Sequence, residues 1–134
     1  MGREAQPCSR PIRPAEDRRR IILIVEDEIL IRMNIADEFR NAGFEVIEAA
    51  NAQEALSILQ ADQAVDAVFS DVKMPGSLDG IALARRIRAD YPSIKVFVTS
   101  GHSAPSGLDG AIDGFVRKPY DPPLVIEKIR QSFG

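Results

Sequence analysis

Short apolar runs alternate with helical patterns along this chain, and this alternation limits the possible folds more than any other feature. The first run, residues 20–25, is continuous and rich in β-branched residues, and residues 67–69 form another run of this kind. Such runs are typical of strands that are buried on both faces of a parallel sheet. Parallel strands joined by right-handed helical crossovers form a doubly wound sheet, so we predict a five-stranded α/β domain.

The boundaries of the elements follow from the apolar runs and from the spacing between them. We predict strands at residues 20–25, 45–49, 66–70, 95–99 and 115–116. We predict helices at residues 29–42, after a cap at Asn51, at residues 81–90, and after a cap at Asp121. In the first helix, Leu30, Met33, Ile35 or Ala36, and Phe39 have helical spacing and are expected on its buried face. Residues 103–113 contain a proline and two glycines, which predicts a short or irregular fourth helix.

The composition limits the class of protein. With 134 residues, 45% apolar and 28% charged, the chain resembles one soluble globular domain. No apolar run approaches the ~20 residues of a membrane span. Residues 1–19 are rich in arginine and proline, so we predict a disordered leader before a folded domain at residues 20–134. The single cysteine, Cys8, favours a cytoplasmic location, and the net charge of −3 argues against direct nucleic-acid binding.

Polar residues follow four of the five predicted strands. They are Glu26 with Asp27, Asp71, Ser100 and Lys118. Because parallel strands end at the same edge of the sheet, ~4.8 Å apart, we expect these side chains to converge. Three carboxylates would repel one another without a cation, and their oxygens suit Mg²⁺. A lysine and a hydroxyl beside them complete the groups needed for phosphoryl transfer to an aspartate.

In this order, the motifs resemble the receiver domain of two-component response regulators. The resemblance covers residues 20–133 and is carried by Val25-Glu26-Asp27, residues 71–76, the hydroxyl that closes the fourth strand, and Lys118-Pro119. It implies a flavodoxin-like fold with strand order 2-1-3-4-5. It also implies Mg²⁺ or Mn²⁺ as the cofactor, and a cis peptide bond between Lys118 and Pro119.

The resemblance further implies a role for each residue at the strand ends. Asp71 would be the phosphoacceptor and a metal ligand, and Lys118 would pair with the aspartate or phosphoryl oxygens. Asp27 would bind the metal directly, Glu26 would bind it through water, and Lys73 would bind it through its backbone carbonyl.

The switch residues implied by the resemblance leave alternatives open. Ser100 and Thr99 are both candidates for the switch hydroxyl, and Ser100 is favoured because the small Gly101 follows it. Phe115 occupies the aromatic switch position, and the alternative is an ordinary core aromatic.

Two further residues are expected to tune the site. A surface turn residue is the default interpretation of the lone His102, but the resemblance implies that Lys73 and His102 flank the phosphoryl group and set its lifetime. The loop at residues 76–80 is one residue longer than is usual in this family, which would reshape a partner surface.

We expect a single-domain response regulator that accepts phosphate from a histidine kinase or phosphotransfer protein and then docks to a downstream target. It would promote only its own phosphorylation and dephosphorylation and would not otherwise be an enzyme. A phosphate sink, a relay carrier and a phosphorylation-independent pseudo-receiver are the alternatives. A dehalogenase-type enzyme would need an acid where Lys73 stands, and a nucleotide-binding loop would not be acidic as residues 26–28 are.

Overall fold

Five parallel strands and four helices make up the fold in the part of the chain that the structure describes. This computed structural model describes residues 19–61, 64–74, 76, 78–101, 108 and 110–134. The strands are β1 (Ile21–Val25), β2 (Glu45–Ala49), β3 (Ala67–Asp71), β4 (Lys95–Ser100) and β5 (Gly114–Arg117). The helices are α1 (Ile29–Asn41), α2 (Ala52–Gln60), α3 (Gly80–Asp90) and α4 (Pro122–Gln131).

The strand order is β2-β1-β3-β4-β5, and every neighbouring pair is parallel. The predicted flavodoxin-like order is therefore confirmed. The three central strands are almost entirely buried, which explains their continuous apolar sequences. Strand β3 reaches one residue beyond its predicted end, so Asp71 is its last residue.

Helices cover both faces of the sheet. On one face, residues such as Leu23 and Val68 pack against α2 and α3. On the other face, Ile24, Phe69 and Phe97 pack against α1 and α4. Alternate residues of each strand thus belong to two separate apolar layers, as expected for a doubly wound sheet.

Helix ends follow the predicted signals with one exception. The Asn51 side chain accepts a hydrogen bond from the Glu54 N–H at 2.8 Å, as predicted. Gly43 ends α1 with φ of +99°, a conformation that glycine adopts without steric cost. Asp121 lies at the N-cap of α4, but its side chain makes no capping bond. The first two helical residues are prolines, so they have no N–H to donate.

The predicted buried face of α1 is wrong at its N-terminal half. Leu30 is 77% exposed and Met33 is 47% exposed, whereas Ile35, Ala36 and Phe39 are buried. The apolar spacing therefore predicted the helix correctly, but it did not predict which of the apolar residues are buried.

Two predictions fall mainly outside the described residues. The disordered leader covers residues 1–19, of which the structure describes residue 19 alone. The irregular fourth helix was predicted at residues 103–113, of which residues 108 and 110–113 are described. The latter contain a turn and the approach to β5, and Ala111 donates a backbone hydrogen bond to Leu108.

Candidate functional site

The predicted polar residues converge at the carboxyl edge of the sheet. Strand register places Val25 beside Ser70 and Asp71 beside Thr99, so β1, β3 and β4 end at nearly the same height. One oxygen each from Glu26, Asp27 and Asp71 lies within 4.8 Å of the others. The three acids therefore form one cluster, as the sequence predicted.

Asp71 lies at the centre of this cluster and is 9% exposed. Its Oδ2 accepts a hydrogen bond from Lys118 Nζ at 2.8 Å, and its Oδ1 accepts one from the Lys73 N–H at 3.2 Å. The Lys118–Pro119 peptide is cis, as the resemblance to receiver domains implied. Two donors from different parts of the chain therefore fix the orientation of this carboxylate.

Glu26 is the most buried acid of the cluster, with 4% exposure. The pKa of its carboxyl is raised to about 7, chiefly by burial and also by the neighbouring charge on Asp71, whereas the Glu28 N–H and the charge on Lys118 act to lower it. The Glu28 N–H donates to Glu26 Oε2 at 3.1 Å, and Lys118 Nζ lies 3.5 Å from Oε1. Without a cation, the cluster therefore favours a proton on Glu26.

Burial acts on the pKa of Lys118 in the opposite direction. Burial alone would lower the pKa of its ammonium group, but the hydrogen bond to Asp71 and the charges on Glu26 and Asp71 outweigh that effect and raise the pKa. One fixed positive charge thus faces three carboxyl groups. The remaining negative charge is suited to a divalent cation.

The donor set fits Mg²⁺ or Mn²⁺. All three side chains offer carboxylate oxygens, which hard cations prefer, and Asp27 is exposed, so water can reach the site. Glu26, Asp27 and Asp71 are the residues that would hold the ion. The predicted division into direct and water-mediated ligands, and the predicted Lys73 carbonyl ligand, stay predictions.

The main chain of the acid loop, residues 26–28, is fixed from three directions. The Glu26 N–H donates to the Ala49 carbonyl at 3.1 Å, at the end of β2. Arg32 Nη1 donates to the Glu26 carbonyl at 2.9 Å. The Arg32 N–H donates to the Glu28 carbonyl at 2.9 Å and begins α1. Sequence reasoning missed Arg32, because a charged residue on a helix is normally read as part of its solvated face.

Ser100 and Thr99 lie on opposite faces of β4. Thr99 lines a narrow crevice with Glu26, Asp71 and Tyr120 on the α1 side of the sheet, and the crevice has no room for a water molecule. Its buried Oγ1 has no hydrogen-bond partner among the described residues. Ser100 shares a face with Val98, which is paired with Phe115. The two residues predicted as switches, Ser100 and Phe115, therefore lie on the same side of the sheet.

The remaining predicted residues are placed less completely. Phe115 is half-buried against the apolar layer of α2 and α3, as either a core aromatic or a switch would be. Lys73 is exposed beside Asp71. His102 lies outside the described residues, so its predicted role in setting the phosphoryl lifetime stays a prediction.

Sequence reasoning also missed Gly80 and Tyr120. A Cβ on Gly80 would overlap the Asp71 carbonyl oxygen, because the start of α3 packs directly on the end of β3. The Gly80 N–H donates to the Val72 carbonyl at 2.8 Å. Tyr120 packs edge-on against Phe69 at 5.5 Å, and burial together with the charge on Glu26 raises its pKa to about 12. In the sequence, the Asp79-Gly80 pair that follows the loop was the available signal for the role of Gly80.

Comparison with known proteins identifies the family. The model of the response regulator receiver domain matches residues 22–130. The C4-dicarboxylate transport transcriptional regulatory protein DctD of Rhizobium meliloti is 34% identical over 116 residues, covering 83% of this chain and 25% of DctD. The chain spans between about a tenth and a half of the length of the curated relatives it matches.

Solved structures show the same fold. A CheY-like receiver domain protein from Methanospirillum hungatei is 25% identical, with a TM-score of 0.79, and 86% of this chain covers 94% of it. The response regulator TrrA from Thermotoga maritima, solved in complex with Mg²⁺-BeF, is 29% identical, with a TM-score of 0.77. The alignment with TrrA includes 84% of this chain and 97% of the TrrA chain.

The helices of the described residues were also compared with the requirements of a membrane span. None of their helices has the length and apolar character that crossing a bilayer requires.

Proposed function

This chain belongs to the response regulator receiver family, whose general role is phosphorylation-dependent signalling, and on that basis we propose that Asp71 accepts a phosphoryl group from a histidine kinase or phosphotransfer protein. The observation that carries this proposal is the convergence of three carboxylates and Lys118 on one buried edge. Phosphoryl transfer depends mainly on positioning and charge neutralisation, and this edge offers both.

The proposed reaction transfers one phosphoryl group. A carboxylate oxygen of Asp71 forms a bond to phosphorus while the phosphorus–nitrogen bond of the donor phosphohistidine breaks. The electron pair of that bond stays on the donor imidazole, which takes up a proton. Glu26, Asp27 and Asp71 would hold Mg²⁺ or Mn²⁺, which would supply neutralising charge for the phosphoryl oxygens. Lys118, already 2.8 Å from Asp71, is placed to follow those oxygens as their charge grows.

We propose that Ser100 and Phe115 transmit the modification. A phosphoryl group would add ~2 negative charges at Asp71, and Ser100 is the last residue of the neighbouring strand β4. Movement of Ser100 toward it would free space next to Phe115, which lies on the same face of the sheet. Lys73 and His102 are proposed to limit the access of water to the acyl phosphate.

The mouth of the site offers a surface for the phosphodonor. A groove of about 690 Å³ is lined by Leu30, Ile31, Lys118, Tyr120 and Pro122, among others. Ile29, Leu30 and Met33 are exposed apolar side chains at the N-terminal end of α1. Exposed apolar groups beside a reactive carboxylate favour docking of a protein donor over reaction with a free metabolite.

We propose a protein that signals by docking after phosphorylation and that catalyses no reaction beyond its own phosphorylation and dephosphorylation. A downstream protein target, a phosphate sink and a relay carrier are compatible with the same site. A phosphorylation-independent pseudo-receiver is less well supported, because all the acidic residues and Lys118 are present and converge. A histidine kinase as donor, and a lone cysteine, favour a cytoplasmic location.

Mass spectrometry tests the proposal directly. The chain is incubated with Mg²⁺ and acetyl phosphate, and the intact mass is measured over time. We expect a gain of one phosphoryl group that requires Mg²⁺ and is absent in Asp71→Asn. Asp79→Asn is the matched control, because asparagine also caps a helix and Asp79 lies at the start of α3. A phosphorylated Asp71→Asn protein would contradict the proposal.

A further inference from the structure

Arg32 joins three elements at the edge of the metal site. Its Nη1 donates to the Glu26 carbonyl at 2.9 Å, and its Nε donates to Glu48 Oε1 at 3.2 Å. Arg32 belongs to α1, Glu48 belongs to β2, and Glu26 begins the acid loop. The side chain of Arg32 is 16% exposed, so these bonds form in a largely desolvated position.

The acceptor of the first bond matters because of what the acid loop carries. Glu26 and Asp27 are two of the three acids in the cluster. The Glu26 carbonyl belongs to the peptide unit that precedes Asp27, so its orientation sets the direction in which the Asp27 carboxylate leaves the main chain. Asp27 is exposed, and packing does little to hold it. The position of its carboxylate therefore depends on the main chain.

Glu48 in turn holds the guanidinium group of Arg32 in place. Its Oε1 accepts from Arg32, and its Oε2 accepts from Arg40 Nη2 at 3.0 Å. Within the part of the chain that the structure describes, Arg40 bonds to Asp37 and Glu48 and not to the acid loop, and its side chain is 45% exposed. Arg32 and Arg40 thus share the Glu48 carboxylate, but of these two only Arg32 also bonds to the acid loop.

We propose that Arg32 is a positioning residue for the divalent cation, and that Glu48 acts through it. This inference rests on the proposed metal site. The planar guanidinium group donates in two directions from one rigid unit, which a flexible ammonium group cannot do. By fixing the Glu26 carbonyl, Arg32 holds the acid loop in a shape that lets Glu26 and Asp27 meet Asp71. Residues that orient metal ligands in this way typically change metal affinity by about 10–100-fold.

Calorimetric titration of Mg²⁺ into the full chain tests the inference. We expect Arg32→Gln to bind Mg²⁺ about tenfold more weakly than the wild type. Glu48→Gln should also weaken binding, by a smaller factor, because it removes the anchor of Arg32 and leaves the loop bond possible. Arg40→Gln is the matched control and should change the Kd by about twofold or less, since an exposed ion pair contributes little.

Arg32→Lys separates geometry from charge. It keeps the positive charge beside the acids, but one ammonium group cannot hold both the Glu26 carbonyl and Glu48. We therefore expect Arg32→Lys to bind Mg²⁺ almost as weakly as Arg32→Gln. Affinity equal to that of the wild type would overturn the positioning role.

Unfolding by urea in EDTA and in Mg²⁺ separates positioning from general stabilisation. A purely structural Arg32 would lower the free energy of unfolding equally in both conditions and leave the Kd unchanged, which would overturn the inference. If Arg32→Gln does not fold, the comparison of Glu48→Gln with Arg40→Gln decides, and equal affinities for these two would overturn it. Failure of the wild type to bind Mg²⁺ would overturn the proposed function as well, whereas wild-type binding that Arg32→Gln leaves unchanged would overturn this inference alone.

Discussion

The middle and the carboxyl end of the same strands differ sharply in chemistry, although both are buried. In the middle, Ile22, Val68 and Val96 are fully buried among apolar side chains. A few residues further on, Glu26 and Asp71 are 4% and 9% exposed, and they lie among other charges. Burial of apolar groups stabilises the fold, whereas burial of carboxylates opposes it until they are paired. One sheet thus carries a stabilising region and a functional region that costs stability.

Truncation in the apolar region should give the largest effect on stability. Phe97 is 1% exposed and packs in the layer beneath α1 and α4. We expect Phe97→Ala to lower the free energy of unfolding by about 3–5 kcal/mol, because it removes buried area and leaves a cavity. Urea denaturation measures the change. A large loss of Mg²⁺ affinity in the protein that remains folded would show that the two regions are not separable.

Gly80→Ala should affect both regions, because this residue lies where they meet. The new methyl group would overlap the Asp71 carbonyl oxygen and displace the end of β3. We expect destabilisation together with slower phosphorylation by acetyl phosphate. Gly101→Ala is the control for stability, since its Cβ would meet nothing within 4 Å. Normal phosphorylation of Gly80→Ala would mean that the end of β3 can move without harming the site.

The pH dependence of stability should reveal the cost of the functional region. In metal-free protein, burial raises the pKa of Glu26 from 4.5 to about 7. Below pH 4.5 the Glu26 carboxyl is protonated in both the folded and the unfolded state, so its contribution to stability is fully present. Between these values the unfolded state loses its proton first, so the free energy of unfolding falls as the pH rises and levels off above about 7.

Glu26→Gln isolates this contribution, because glutamine does not titrate. Urea unfolding in EDTA at several pH values should show that the wild type loses stability relative to Glu26→Gln across this window. Added Mg²⁺ should reduce the loss, since the cation replaces the proton. If the free energies of unfolding of the two proteins changed in parallel with pH, burial of the Glu26 carboxylate would not oppose folding.

The smallest effect on stability is expected at the exposed end of α1. Leu30 is 77% exposed, so Leu30→Ala should change the free energy of unfolding by about 0.5 kcal/mol or less. Ile35→Ala on the same helix removes a buried side chain and should cost about 2–5 kcal/mol. Thermal or urea denaturation compares the two variants. Similar losses would show that Leu30 is covered in solution.

Patterns that depend on neighbouring residues along the chain predicted the fold well. The bounds of β2 and the cap at Asn51 agree with the sequence prediction, because each depends on a few adjacent residues. The convergence of Glu26, Asp27 and Asp71 could also be predicted, since parallel strands must end at a common edge.

Features that depend on contacts between distant segments could not be predicted. Leu30 and Met33 have the spacing of a buried face, but nothing in that spacing shows that the N-terminal half of α1 is left exposed. The bond from Arg32 to the Glu26 carbonyl spans six residues across a loop whose path the sequence does not give. The place of Gly80 against Asp71 likewise depends on how α3 meets β3.

The most direct test of a shared cation at this edge is the effect of Mg²⁺ on unfolding in the wild type and in Asp27→Asn. At a Mg²⁺ concentration of a hundred times Kd, the free energy of unfolding of the wild type should rise by about 2.7 kcal/mol. Asp27→Asn, which removes one acid of the cluster, should rise far less at the same concentration. An equal rise in both proteins, or none in the wild type, would contradict a cation held jointly by the acids of β1 and β3.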